Sequence, residues 1–206
     1  AIQYHAGGSQ GARRMADANL AAFDLKDIDA VIVNHAGCGA MMKEYGLHWN
    51  DERQPARQEL ADKIRDVNEF LEELGPIAPT GRIDAVAAYH DACHLGHAQK
   101  ITAAPRGLLS LIPGLELKPL PETEICCGSA GTYNLSQPKM AQRLIARKLD
   151  NILATKAQIA LASNAGCLLQ IGREARRRRA RLLVMHPMDL LDLSYRGEKL
   201  ELPSIR

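Results

Sequence analysis

A chain of 206 residues accommodates one large domain or two smaller ones sharing a core, so it needs no disulfide staples to fold. Hydrophobic residues at 46% and charged residues at 24% exclude a disordered polymer, and aromatics at only 4% leave the core to Leu, Ile, Val, Ala and Met. A net charge of +2 supplies no basic field for nucleic acid, and no stretch approaches the roughly 18 consecutive apolar residues of a membrane span.

The chain opens on Ala1-Ile2-Gln3-Tyr4-His5 without a methionine and reads as a fragment whose start lies upstream; with no signal-peptide pattern, a cytoplasmic location is expected. Residues 9–23 carry Ala12, Met15, Ala16, Leu20 and Phe23 at helical spacing, and residues 28–33 form a β-branched run of the buried-strand type. That strand leads into Asn34-His35-Ala36-Gly37-Cys38-Gly39, a glycine-rich turn that sets Cys38 at a strand's carboxyl end, followed by a short helix through Met41, Met42 and Tyr45. Residues 51–74 read as one long amphipathic helix with Leu60, Ile64, Val67, Phe70, Leu71 and Leu74 on one side, ended by Gly75-Pro76.

Residues 76–82, with Pro79 and Gly81, are the candidate boundary between a first unit (1–75) and a second (82–206). Beyond it the spacing predicts a strand over 84–89, delivering His90-Asp91-Ala92-Cys93-His94, then a helix over 106–111 and a strand over 115–120. The small-residue loop Ile125-Cys126-Cys127-Gly128-Ser129-Ala130-Gly131 allows close backbone approach to a ligand. A helix over 138–153, with Met140 and Leu144 read as core, precedes a strand over 158–163 and the turn Ala165-Gly166-Cys167. A strand over 182–185 and a helix from Met188 close the chain.

Met15 to Cys38 and Leu144 to Cys167 share one plan of helix, linker lysine (Lys26, Lys156), apolar strand and an Asn-(His)-Ala-Gly-Cys word. The expectation is an α/β fold of two pseudo-symmetric repeats, short parallel strands flanked by helices, with the cysteines at strand carboxyl ends, where ligands of open α/β sheets bind.

Adjacent cysteines rarely bond each other, yet both can face one metal centre, so Cys126 and Cys127 point first to a cofactor site. Cys93 lies before an interval of 32 residues upstream of the pair and Cys167 after one of 39 downstream. Only a folded scaffold brings such thiolates together, and without a secretory signal metal or redox chemistry is favoured over a disulfide framework. Soft thiolates suit zinc or iron–sulfur clusters. The short double hooks of structural zinc and the dense ferredoxin run are both missing, with Gln170 three residues after Cys167 and Met41 three after Cys38. His90 and His94 flank Cys93 as ligands, second-sphere donors or ordinary packing residues; His5 and His35 are weaker candidates near Cys38, and His48, His97 and His186 read as surface or packing.

The arrangement Cys93 … Cys126-Cys127-Gly128 … Cys167 resembles the cysteine-rich CCG domain of heterodisulfide reductase B subunits and of iron–sulfur subunits of respiratory flavoprotein dehydrogenases. The words His90-Asp91-Ala92-Cys93-His94-Leu95, Cys126 through Leu135, Asn164-Ala165-Gly166-Cys167 and Gly37 through Gly46 resemble those of glycolate oxidase (glycolate dehydrogenase) iron–sulfur subunits over essentially the whole chain. The resemblance implies a 4Fe-4S cluster held by Cys93, Cys126, Cys127 and Cys167, with Gln170 in place of a fifth cysteine and Cys38 as the metal-facing remnant of the first repeat. It also implies a ferredoxin-like module upstream, a flavoprotein partner oxidising glycolate to glyoxylate, electron delivery toward a membrane acceptor, and peripheral membrane association through that complex. No catalytic residue for substrate oxidation is expected on this chain. The alternatives are the same role in lactate or glycerol-3-phosphate oxidation, or a non-redox docking module whose cysteines bind zinc or stay free. Arg173, Arg176 to Arg179 and Arg181 read either as a solvated helix face or as a docking patch for an acidic subunit or anionic lipid; nucleic acid is not expected, because aromatics are not interleaved.

Overall fold

A computed structural model describes residues 1–203. Helices α1 (Ile2–His5) and α2 (Ser9–Ala22) lead to strand β1 (Val31–Val33), then helices α3 (Ala36–Lys43), α4 (Tyr45–His48) and α5 (Gln54–Lys63), strand β2 (Ile64–Asp66) and helix α6 (Val67–Leu74). β1 and β2 pair in parallel, with Val31 opposite Ile64. Leu60, Ile64, Tyr45, Trp49 and Ala16 fill the core around this small sheet.

The single helix expected over 51–74 is therefore two helices with a strand between them. Its apolar spacing runs unbroken through Ile64 into Val67 and Phe70, and that spacing alone reads as one helix. Ile64 instead takes extended dihedrals (φ −71°, ψ 129°), so its side chain is fully buried and its backbone pairs with β1. Asp66 then restarts the helix through a capping box: its Oδ1 accepts from the Asn68 N–H at 2.9 Å, and Glu69 Oε2 accepts from the Asp66 N–H at 3.2 Å. The word Asp66-Val67-Asn68-Glu69 is a helix-start signal in plain view. The strand read over 28–33 also begins later, at Val31, where pairing with Ile64 starts; the Ile28 carbonyl accepts from Lys63 Nζ at 2.6 Å.

The second sheet consists of β3 (Ala85–Tyr89), β4 (Leu115–Lys118), β5 (Ile159–Leu161) and β6 (Leu183–Met185) in the order β4-β3-β5-β6, all parallel. A π-helical turn (His94–Ala98) and helices α7 (Ala104–Ser110), α8 (Tyr133–Ser136), α9 (Pro138–Ala154), α10 (Ala165–Arg177) and α11 (Pro187–Arg196) complete the described chain. Alternate strand residues serve two cores. Ala88, Ala160 and Ala162 join Ile145, Leu149 and Ile152 of α9 and Ile171 of α10 on one side. Tyr89, Ile159 and Leu161 join Leu109 of α7 and Leu190 of α11 on the other. Each fully buried Ile or Leu contributes about 1.5–3 kcal/mol, and alanines on the α9/α10 side let those helices approach the sheet. Met140, read from spacing as core, is instead exposed; the buried stripe of α9 starts at Ala141.

The two repeated words meet in space. The Ala36 N–H donates to the Ser163 carbonyl at 3.0 Å, and the Gly37 N–H donates to Asn164 Oδ1 at 3.2 Å. Strand–turn–helix β1–α3 thus docks against strand–turn–helix β5–α10 at the carboxyl ends of both sheets. Cys38, expected in the turn, lies in the first helical turn of α3.

The arginine run is partly consumed internally. Arg177 and Arg178 both grip Glu174, whose side chain is fully buried, and Arg178 also reaches Asp150. The Arg177 guanidinium above all holds the Glu174 carboxyl down at about 2, against the opposing effect of burial. A carboxyl depressed by folding contributes stability that is complete above its ordinary value of 4.5 and is lost as pH falls toward about 2. Glu174→Gln is expected to lower the unfolding free energy at pH 7 by on the order of 2 kcal/mol, with the difference from wild type shrinking at pH values below that ordinary one. Urea melts at neutral and acid pH check this, and a gap of equal size at both would exclude the ion-pair account.

Candidate metal centre

Parallel strands share one polarity, so the loops that leave their carboxyl ends emerge on one edge of the sheet. β4, β3 and β5 are neighbours, and they carry the thiols in that order: Cys126 and Cys127 in the loop after β4, Cys93 at the start of the π-helical turn after β3, and Cys167 in the first turn of α10 after β5. All five cysteines line one cleft of about 540 Å³, with His5, His35, His90 and His94 among the other wall residues. Four of the thiols follow one another in the order Cys93, Cys126, Cys127, Cys167, each near enough to its neighbours to shift their proton affinities. Cys38 is exposed on the same wall, near Tyr45, outside that series.

Glycines let these loops close on one another. Gly128 has φ +86°, a left-handed conformation, and directs the chain away from the cysteine pair hard against the backbone of α9. Gly166 leaves room for Ser129: a Cβ there would sit 2.7 Å from the Ser129 hydroxyl. The Cys-Cys-Gly-Ser and Ala-Gly-Cys words are therefore two sides of one contact.

Crowding the sulfurs splits their proton affinities. The neighbouring thiols of Cys127 and then Cys93 bring Cys126 down, although burial opposes this. Cys127, between Cys126 and Cys167, is pushed up by both neighbours and by burial, and Cys93 is pushed up by Cys126 and by burial. Cys167 is lowered chiefly by Cys127, with help from His90 and from Asn164, whose Nδ2 lies 3.7 Å from its Sγ. The N-terminal position on α10 also favours thiolate there. The set thus alternates, with Cys126 and Cys167 favouring thiolate and Cys93 and Cys127 holding their protons; ionising all four would require a compensating cation.

A buried histidine faces the site, and a buried lysine lies behind its wall. His90 is 1% exposed, and a ring nitrogen of His90 and the sulfurs of Cys127 and Cys167 all lie within 4.8 Å of one another. Lys148, also 1% exposed, hydrogen-bonds the Glu122 carbonyl and, at 3.2 Å, the Thr123 carbonyl; burial lowers its proton affinity while Cys127 nearby raises it. Lys148 escaped the sequence reading, although it sits among Ala141, Ile145, Leu149 and Ile152 on the buried stripe of α9, where a lysine is out of place. Gln170 is buried but does not reach the cleft wall, and its Nε2 has no partner among the described residues. No Asp or Glu stands in the wall among the described residues, and the nearby Asp91 is already held by Arg106 in a bidentate pair at 2.8 Å. Sulfur with imidazole, and no carboxylate in the wall among the described residues, fits an iron–sulfur centre or zinc and not magnesium or calcium.

The family of cysteine-rich domains termed CCG matches residues 1–43 and 87–172, more than half of the chain. This chain belongs to the CCG family. The matched segments of the CCG domain hold every thiol of the cleft, and the unmatched middle carries α4, α5, β2 and α6. Among its relatives is the probable glycolate oxidase iron-sulfur subunit of Bacillus subtilis (strain 168), 34% identical over 197 residues, which cover 93% of this chain and 44% of that protein. Lactate utilization protein A of Shouchella clausii (strain KSM-K16) is 32% identical over 169 residues, covering 81% of this chain and 71% of that protein. Lactate utilization protein A of Geobacillus kaustophilus (strain HTA426) is 31% identical with the same coverage. The chain thus spans less than half the length of its Bacillus subtilis relative. No helix among the described residues is long and apolar enough to cross a membrane.

Proposed function

We propose that this CCG domain is the electron-transferring iron–sulfur part of a complex that oxidises a 2-hydroxy acid, glycolate in the first instance, with Cys93, Cys126, Cys127 and Cys167 holding a 4Fe-4S cluster and Cys38 at the rim of the same site. The observation that carries the reading is the gathering of four thiols from three neighbouring strand ends into one cleft whose wall, among the described residues, holds a buried histidine and no carboxylate. A bound cluster would supply one-electron transfer. The protein's own part is to hold four thiolates at fixed spacing, offset their charge with Lys148, and bury Cys127 and Cys167 away from water while Cys93 and Cys126 remain half-buried toward the cleft mouth. Residues 1–75 and 82–206 are read as two repeats that share this cleft, the last three lying outside the described residues.

In this reading the oxidised carbon and its flavin lie on a partner subunit, a ferredoxin-like module precedes the chain, and the assembly works in the cytoplasm or on the inner membrane face. A lactate-oxidising complex is the second reading, favoured by relatives named for lactate utilisation at 32% and 31% identity. Co-purification with its flavoprotein partner, followed by anaerobic addition of glycolate or lactate, separates the two. Glycolate is expected to bleach the cluster absorption within turnover time and lactate to leave it. The opposite pattern assigns lactate, and an unchanged spectrum with both rejects the 2-hydroxyacid role.

A further inference from the structure

The residue that faces the metal centre in place of the absent fifth cysteine is not the one found at that position in the chain. Gln170 is buried outside the cleft wall, whereas His90, on the loop after β3, is buried beside Cys127 and Cys167 with three donor atoms inside 4.8 Å. The hydrogen bonding of His90 decides which nitrogen is available. Nδ1 lies 3.0 Å from the Thr123 carbonyl, which can only accept, so Nδ1 carries the proton and Nε2 keeps its lone pair. Nε2 is buried and has no hydrogen-bond partner among the described residues. A bare buried acceptor of this kind costs on the order of 1–3 kcal/mol unless something binds it, and an imidazole with its far N–H anchored on a backbone carbonyl is arranged as metal-ligating histidines are. Lys148 reinforces the anchor by donating to the same Thr123 carbonyl at 3.2 Å. His94 offers no equivalent: its Nδ1 faces Cys93 Sγ at 3.6 Å and the ring is only half-buried.

We infer that His90 Nε2 is a ligand of the centre that Cys127 and Cys167 also hold, making this a mixed cysteine–histidine site in place of an all-cysteine one. The inference rests on the cluster reading above. Imidazole replaces a negative thiolate by a neutral donor, which lowers the net negative charge of the centre and raises its reduction potential.

The test is pulsed EPR of the anaerobically purified, iron-loaded protein in its paramagnetic state, comparing wild type with His90→Ala, His90→Cys and His94→Ala. Wild type and His94→Ala are expected to show the strong nitrogen hyperfine coupling of a directly bonded imidazole. His90→Ala is expected to lose it, and His90→Cys to lose it while retaining wild-type iron and sulfide and shifting the midpoint potential downward. Should His90→Ala fail to fold, wild type against His90→Cys decides the matter. An iron-loaded wild type without that coupling, or a coupling that survives in either His90 variant, overturns histidine ligation and leaves the cluster reading standing. A wild type that binds no iron and sulfide overturns both.

Discussion

Cys126→Ser and Cys127→Ser are each expected to reduce bound iron and acid-labile sulfide in the anaerobically purified protein by at least about tenfold. Serine preserves the shape of cysteine but substitutes a hard oxygen that does not ionise at neutral pH for a soft thiolate, so the change removes the donor and leaves the packing intact. Cys126 and Cys127 are the middle members of the four-thiol series, each flanked by two other thiols of the cleft, so either substitution removes a donor from its centre. The end members should be less costly: Cys93→Ser leaves the Cys126, Cys127 and Cys167 set continuous. Metal and sulfide assays with circular dichroism as a folding control decide this. Wild-type iron and sulfide in both central variants would place any cluster elsewhere.

Gly128→Ala should do comparable damage without removing any ligand. The position has φ +86°, and a Cβ there would lie 2.7 Å from the Ala141 carbonyl oxygen and 3.1 Å from both Ala141 Cα and Leu144 Cβ. The left-handed conformation costs a non-glycine residue about 1–2 kcal/mol. The clash adds about 1–3 kcal/mol, because it is with the backbone of a packed helix that cannot move aside. An unfolding free energy lower by about 2–5 kcal/mol is therefore expected, together with loss of metal, since the loop can relieve the contact only by withdrawing the adjacent cysteine pair. Gly131→Ala is the matched control: φ is +65° and nothing lies within 4 Å of the added carbon, so only the conformational cost applies and the metal should stay. Urea melts and iron content of the two variants test the contact, and equal effects of both substitutions would dismiss it.

The glycine after the cysteine pair shows where reading from the chain alone stops. A small-residue loop with room for close backbone approach is legible in Cys126 to Gly131, yet the partner that demands the small residue is Ala141, whose identity emerges only when α9 packs across the loop. The split of residues 51–74 has a similar origin. The apolar period is compatible with one helix, and the capping word at Asp66 with two; β1, more than thirty residues earlier, decides between them by offering Ile64 a pairing partner.

What the sequence by itself determined is the local grammar: short apolar strands followed by turns that carry cysteine, a repeated Asn-Ala-Gly-Cys word, and thus an α/β fold with thiols at strand carboxyl ends. These follow from periodicity, glycine and β-branching, which act over a few residues. It took the folded chain to show that Cys38 shares the cleft with the other four thiols, that Gln170 lies outside its wall, and that His90 stands in the wall with the buried Lys148 behind it. Those outcomes depend on parallel strands aligning their ends and on burial leaving one imidazole nitrogen and one ammonium with few partners, and such constraints exist only once distant segments are in contact.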